Sequence, residues 1–191
     1  MFRFSRRPGP TLAVVATIAL LSAPASAEIQ KMMTACPGQK LCAWLHAELA
    51  PPKGWVEDKD DGESHFVTML VPDKKELGAA DPLIYVQATL HKTPQTLDEN
   101  IQMNQDVWRK SEPTVKITAL GTTPRAGGKE PFKVFLYENP TRPRQAFEKI
   151  AFAFDKQANG DIYTFIVVDT AASRKAIDES NEAYQAVLAG L

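Results

Sequence analysis

Residues 132–170 read FKVFLYENPTRPRQAFEKIAFAFDKQANGDIYTFIVVDT, and their reading decides the fold. Three strand-like runs, FKVFLYE, FEKIAFAF and IYTFIVV, follow one another with short connections. Alternate residues of a strand face opposite ways. In the second run this puts Ile150, Phe152 and Phe154 on one face, and Phe147, Lys149, Ala151 and Ala153 on the other. The second face is small and apolar, which lets a helix approach closely. The third run has Ile162, Thr164, Ile166 and Val168 on one side, and Tyr163, Phe165 and Val167 on the other. Both of its faces are apolar, so cover on both faces of the sheet is expected. Asn159-Gly160 suits a turn with positive φ, which makes the second and third runs a hairpin. Pro140 and Pro143 mark the earlier connection as a loop. The three runs therefore form a meander at the middle of an antiparallel sheet.

The N-terminus reads differently. Arg3, Arg6 and Arg7 precede an apolar run, Leu12 to Leu21, and then Ala25-Ser26-Ala27. That pattern is a secretory signal peptide over residues 1–27, cut before Glu28. The apolar run is about half of the roughly 20 residues a spanning helix needs. A single α+β domain over residues 28–191 is expected. Without the three leader arginines it has 19 basic and 23 acidic residues, a net charge of about −4. Mild acidity and export both argue against a nucleic-acid partner. A periplasmic or secreted location follows, with no stable membrane insertion after cleavage. In that compartment Cys36 and Cys42 are expected to form a disulfide pinning an N-terminal tail to a first helix. Their C-x5-C spacing does not suit a thioredoxin-type redox pair, and a metal site needs more ligands.

That first helix is expected at Gln39 to Leu49, where Leu41, Trp44, Leu45 and Leu49 recur at helical spacing before Pro51 and Pro52. Gly54-Trp55-Val56 enters a weak strand, and Asp58 to Gly62 is expected to be a solvated turn that resembles a calcium loop only loosely. Strands are expected at His65 to Val71 and Pro82 to His91, the latter with Ile84, Val86, Ala88 and Leu90 toward the core. Thr96 and Glu99 form a capping box for a helix to about Lys110, with Leu97, Ile101, Asn104 and Trp108 on one stripe. A strand at Thr114 to Thr123 precedes the meander. One helix from about Ala172 to Ala189, capped by Asp169 or Thr170, closes the chain. Runs of strands broken by a few helices favour α+β over a doubly wound fold. The sheet should hold about six or seven strands, with helices packed on both faces.

No catalytic or cofactor pattern is found. There is no G-x-S-x-G elbow, no P-loop, no dinucleotide fingerprint, and no HExxH around His46, His65 or His91. His65 and His91 would approach each other only if their strands are neighbours. The charged group of most interest is Lys133, Arg142, Arg144 and Lys149, which as a cluster would hold an anionic ligand or an acidic partner surface. A solvated edge with Glu138 and Glu148 as counter-charges is the plainer reading.

The segments PPKGW, HFVTMLVP, PLIYVQATLH with the TLDEN helix, and FEKIAFAFDKQANGDIYTFIVV with a last helix resemble the Mog1/PsbP-like α/β/α sandwich superfamily over residues 39–189. The resemblance implies a central antiparallel sheet with helices on both faces. It also implies a non-enzymatic binding or assembly role, carried by no residue-specific motif. The expected function is thus an exported factor that binds another envelope protein, without cofactor or metal. The alternative is a small-molecule carrier or enzyme with a sheet–helix cleft near Arg142 and Arg144.

Overall fold

The computed structural model describes residues 28–36, 40–74, 81–91, 95–156 and 160–191. The expected signal peptide, and most of the turn before Gly160, lie outside them. The fold is α+β, with an antiparallel sheet of nine strands among the described residues and helices on both faces. The strands are β1 (Glu28–Cys36), β2 (Lys40–Glu48), β3 (Trp55–Glu57), β4 (Thr68–Pro72), β5 (Leu83–His91), β6 (Lys116–Thr123), β7 (Phe132–Glu138), β8 (Phe147–Lys156) and β9 (Ile162–Ala171). The helices are α1 (Lys59–His65), α2 (Leu97–Ser111), α3 (Arg174–Glu179) and α4 (Asn181–Gly190). The main path runs β1-β2-β5-β9-β8-β7-β6, and β4 joins β5 while carrying β3 at its side.

The meander forms as its sequence dictates. Phe147 faces Ala171 and Lys156 faces Ile162, so β8 and β9 pair along their whole length. Ala151, Ala153, Phe165 and Val167 lie on one face with Tyr184, Val187 and Leu188 of α4. The two alanines leave the room that helix occupies. On the other face Ile150, Phe152, Val168 and Tyr137 pack with Ile101, Leu97 and Trp108 of α2. The capping box of α2 is closed in both directions. The Glu99 amide donates to Thr96 Oγ1 at 3.2 Å, and the Thr96 amide donates to Glu99 Oε2 at 2.7 Å. Asn104 keeps its place in the stripe because Tyr137 Oη donates to its Oδ1 at 3.3 Å. Gly121 interrupts the β6–β7 register with φ +102°, a bulge conformation open to glycine at little cost.

Four local expectations are corrected. The helix expected at Gln39 to Leu49 is strand β2, paired with β1 from Glu28↔Glu48 to Cys36↔Lys40. Long-range pairing overrides the helical spacing of its leucines. The Cys36–Cys42 bond expected between a tail and a helix therefore does not stand as drawn. Both cysteines lie in one hairpin, where they are not opposite each other: Cys36 faces Lys40, and Cys42 faces Thr34. Cys42 is not a free thiol, and the side chain of Cys36 lies outside the described residues. The turn expected at Asp58 to Gly62 starts helix α1. Asp58 caps it by accepting from the Asp61 amide at 3.1 Å, and His65 belongs to this helix and not to a strand. A Cβ on Gly62 would meet the Val67 carbonyl oxygen at 2.7 Å, so only glycine lets α1 lie this close to the chain entering β4.

The last correction concerns the C-terminal helix. It is two helices, because β9 continues to Ala171 and Ser173 supplies the cap by accepting from the Ala176 amide. Asp169 caps nothing. It is fully buried and accepts from Ser180 Oγ at 2.7 Å, where α3 gives way to α4. The same hydroxyl approaches the Ile177 carbonyl at 3.1 Å, the backbone competition that commonly bends helices at serine.

Candidate functional site

The four basic residues singled out in the sequence do not converge. Lys133 sits on the α2 face of β7 and pairs with Asp98 in the first turn of that helix. Lys149 sits on the opposite face of β8 and is buried. Its ammonium donates to Asn181 Oδ1 at 2.8 Å, stands 3.9 Å from Asp169 Oδ2, and lies over the Tyr184 ring at 5.3 Å. Arg142 donates through Nε to Glu112 Oε1 at 2.6 Å and lies over the Trp108 ring at 4.8 Å. Arg144 is exposed in the same connection. Three of the four are thus paired within the fold, on two faces of the sheet.

The intended counter-charges also separate. Glu138 pairs with Lys116 at 3.3 Å at the sheet edge. Glu148 is buried at 2% exposure on the α2 face, and desolvation pushes its carboxyl up to about 7. Asp169 rises to about 6 for the same reason, with the Ser180 hydrogen bond and the Lys149 charge opposing the rise. Burial also lowers Arg125. Its guanidinium donates to the Phe154 carbonyl at 3.1 Å, to Asp155 Oδ2 at 3.2 Å and to the Leu191 carbonyl oxygen at 2.7 Å. This is a structural tie between the β8 end and the end of α4.

The histidines are dispersed. His46 Nε2 is 2.8 Å from Glu57 Oε1, with its ring edge-on to Trp44. His65 lies against the Asp61 carbonyl within α1, and His91 stacks on Phe154 with ring centroids 4.6 Å apart. Among the described residues no three His, Cys, Asp or Glu side chains are placed to hold a metal ion.

A different place offers room. On its free side β5 is shared by two neighbours. β4 takes the first half, Leu70↔Ile84 to Thr68↔Val86, and β2 touches the second half only at Leu45↔Ala88. Thr68 closes the joint by accepting from the Ala47 amide at 2.9 Å and donating to the Ala47 carbonyl at 3.1 Å. Beyond that point the β1–β2 hairpin diverges from β5. The gap is a half-open groove of about 720 Å³ lined by Ile29, Leu45, Phe66, Ala88, Leu90 and Tyr163, with Lys31 and Asp161 among its polar members. The hairpin around it carries exposed apolar side chains, with Met33 54% and Leu41 72% accessible. A mostly apolar cleft with a few polar groups is the usual character of a binding site.

Sequence reasoning missed this site. It left residues 28–36 unassigned and turned β2 into a helix, so the hairpin did not exist on paper. One signal was present: Ile29, Met32 and Met33 are apolar residues beside an otherwise polar start, which a plain tail does not need. No protein-family model matches the sequence, and no curated protein matches it. No helix among the described residues is long and apolar enough to cross a membrane.

Proposed function

We propose that this is an exported, non-enzymatic binding or assembly factor of the cell envelope, and that it takes an extended apolar segment of a partner protein at the β1–β2 hairpin. The observation that carries this reading is the groove between that hairpin and β5, lined from the hairpin by Ile29, Ala43 and Leu45, on a hairpin that also exposes Met33 and Leu41. Methionine adapts its shape to varied apolar partners at little cost. The outer edge of β1 adds a second means of capture, because among the described residues β1 ends the strand path and pairs only with β2. An extended segment laid along such an edge gains main-chain hydrogen bonds, while the apolar groove selects its side chains. The leader-like residues 1–27 and the pairing of most charged groups within the fold support the same reading. The layering, with α2 on one face and α3 and α4 on the other, also supports membership in the Mog1/PsbP-like sandwich superfamily.

The test is affinity capture from the host envelope with wild type and with the double variant Met33→Asp, Leu41→Asp. Both positions are exposed, so the variant should fold. The expected result is one partner retained by wild type and lost from the variant. Equal capture by both would remove the hairpin from the account. A cleft at Arg142 and Arg144 receives less support, since Arg142 is already engaged by Glu112 and Trp108.

A further inference from the structure

The groove beside the β1–β2 hairpin is a slit through the sheet, not a hollow on one face. A hollow on one face of a strand is lined by alternate residues, because successive side chains point to opposite faces. Here consecutive residues line both walls, residues 42–45 of β2 and residues 87–90 of β5. The walls are therefore strand edges. On the side away from β9, β5 pairs with β4 as far as Thr68↔Val86 and with β2 at Leu45↔Ala88. Among the described residues no strand continues that ladder beyond Ala88. On its other side β5 stays paired with β9 out to His91↔Ile162. β2 matches this. Before Leu45 its strand partner among the described residues is β1 alone, in a ladder that reaches Cys36↔Lys40. Each wall thus carries an unused strand edge, and the two edges face each other across the slit.

We propose, resting on the binding role above, that the slit receives the partner segment as an added strand, seated between β2 and β5 in the plane of the sheet. The occupant is a single extended segment of another protein. The sheet ends of a second copy do not suit the slit, because β1 and β6 would each bring a paired neighbour, β2 or β7, in with them. β2 and β5 are antiparallel, so a strand between them is antiparallel to one and parallel to the other. Antiparallel pairing is the more stable, and β5 is the wall held along its length by β9. The segment therefore runs antiparallel to β5, with its C-terminal end at the closed end of the slit beside Leu45. One set of its side chains meets the apolar strip that extends the α4-side core, where Ile29, Leu45 and Tyr163 pack beside Ala88. The other set lies on the side of Gln87 and Thr89, which suits small or polar residues. Lys31 lines the groove and stands opposite Leu45 in the β1–β2 ladder. Among the described residues no carboxylate pairs with Lys31, whereas Asp161 is already engaged. An acidic residue at the C-terminal end of the segment completes the fit by charge.

The test is amide hydrogen exchange, followed by NMR, on the purified protein with a short synthetic peptide. The peptide alternates valine and threonine, ends in glutamate and has both termini blocked. Without peptide, the amides of residues 89–91 that face the slit should exchange freely. Saturating peptide should raise their protection by about tenfold or more, with cross-strand contacts in antiparallel register to β5. Protection already present without peptide would mean a closed or occupied slit and would overturn the proposal. So would an absence of binding, or binding that leaves these amides unprotected.

Further peptides keep every side chain but carry N-methyl groups on alternate backbone nitrogens, in the two possible sets. At least one set should bind about tenfold more weakly, because it cannot complete a main-chain ladder. Equal binding with and without the methyl groups would show recognition by side chains alone and would overturn the added strand. Lys31→Glu, at an exposed position, should shift preference from the glutamate-ended peptide to a lysine-ended one. An unchanged preference would strike the acidic end from the occupant. The slit and the broader binding role fail separately. Envelope capture that depends on Met33 and Leu41, with no peptide-induced protection at residues 89–91, would leave the role standing and overturn the slit.

Discussion

The β7–β8–β9 meander and the β1–β2 hairpin are built from the same pairing rule but sit in opposite surroundings. In the meander Phe152 is fully buried beneath α2, and Ala151 and Ala153 admit α4 from the other side. Each strand there has a neighbour along both edges. Among the described residues the hairpin has β2 against β5 at one residue pair, β1 with one neighbour, and Leu41 open to solvent. The difference teaches where stability and availability reside. A region buried on two faces has nothing left to offer a partner. A hairpin that is half engaged keeps backbone edge and apolar side chains in reserve.

The comparison is broken most directly by cutting into the meander. Phe152→Ala should cost about 3–5 kcal/mol in chemical denaturation, since it leaves a cavity between α2 and the sheet. Next comes the buried ion pair. Lys149→Met removes the ammonium 3.9 Å from Asp169 and leaves that carboxylate supported by Ser180, at a cost of about 2–3 kcal/mol near neutral pH. That cost should shrink in acid, where Asp169 takes up a proton.

The pH dependence sharpens the same contrast, because the buried carboxylates lie in the meander. Glu148 is raised from 4.5 to about 7 and Asp169 from 3.8 to about 6. A raised folded value means the stabilising contribution is complete below the unfolded value and is lost as pH rises through the folded one. Wild type should therefore lose stability relative to Glu148→Gln between pH values of roughly 4.5 and 7, by on the order of 2 kcal/mol, read from urea midpoints across pH. Thr96→Ala should cost about 1 kcal/mol through the lost cap of α2. The smallest effect belongs to the hairpin: Leu41→Ser should change stability by less than about 0.5 kcal/mol, because that side chain is 72% exposed in the folded state.

The meander was legible in the sequence because its signals are local and agree. Alternation, small residues opposite large ones and Asn159-Gly160 all point to one register. The capping box of Thr96 and Glu99 was equally plain. The hairpin was not legible, because Leu41, Trp44, Leu45 and Leu49 satisfy a helical period by coincidence, and only pairing with residues 28–36 settles the matter. The role of Asp169 was misread for a related reason. A cap is a local property, but its burial under Ser180 depends on where β9 ends and α3 begins. The basic quartet failed because Lys133 and Lys149 fall on opposite faces once β7 and β8 are aligned.

The measurement that tests the central claim most directly is photo-crosslinking in the host envelope from single positions in the two regions. The probe is placed at Met33 and Leu41 of the hairpin, and at exposed Val107 of α2 and Leu120 of β6. The account predicts one protein product from both hairpin positions, absent from Val107 and Leu120 and lost when a neighbouring hairpin position carries aspartate. The same product from Val107 or Leu120, with none from the hairpin, would contradict it.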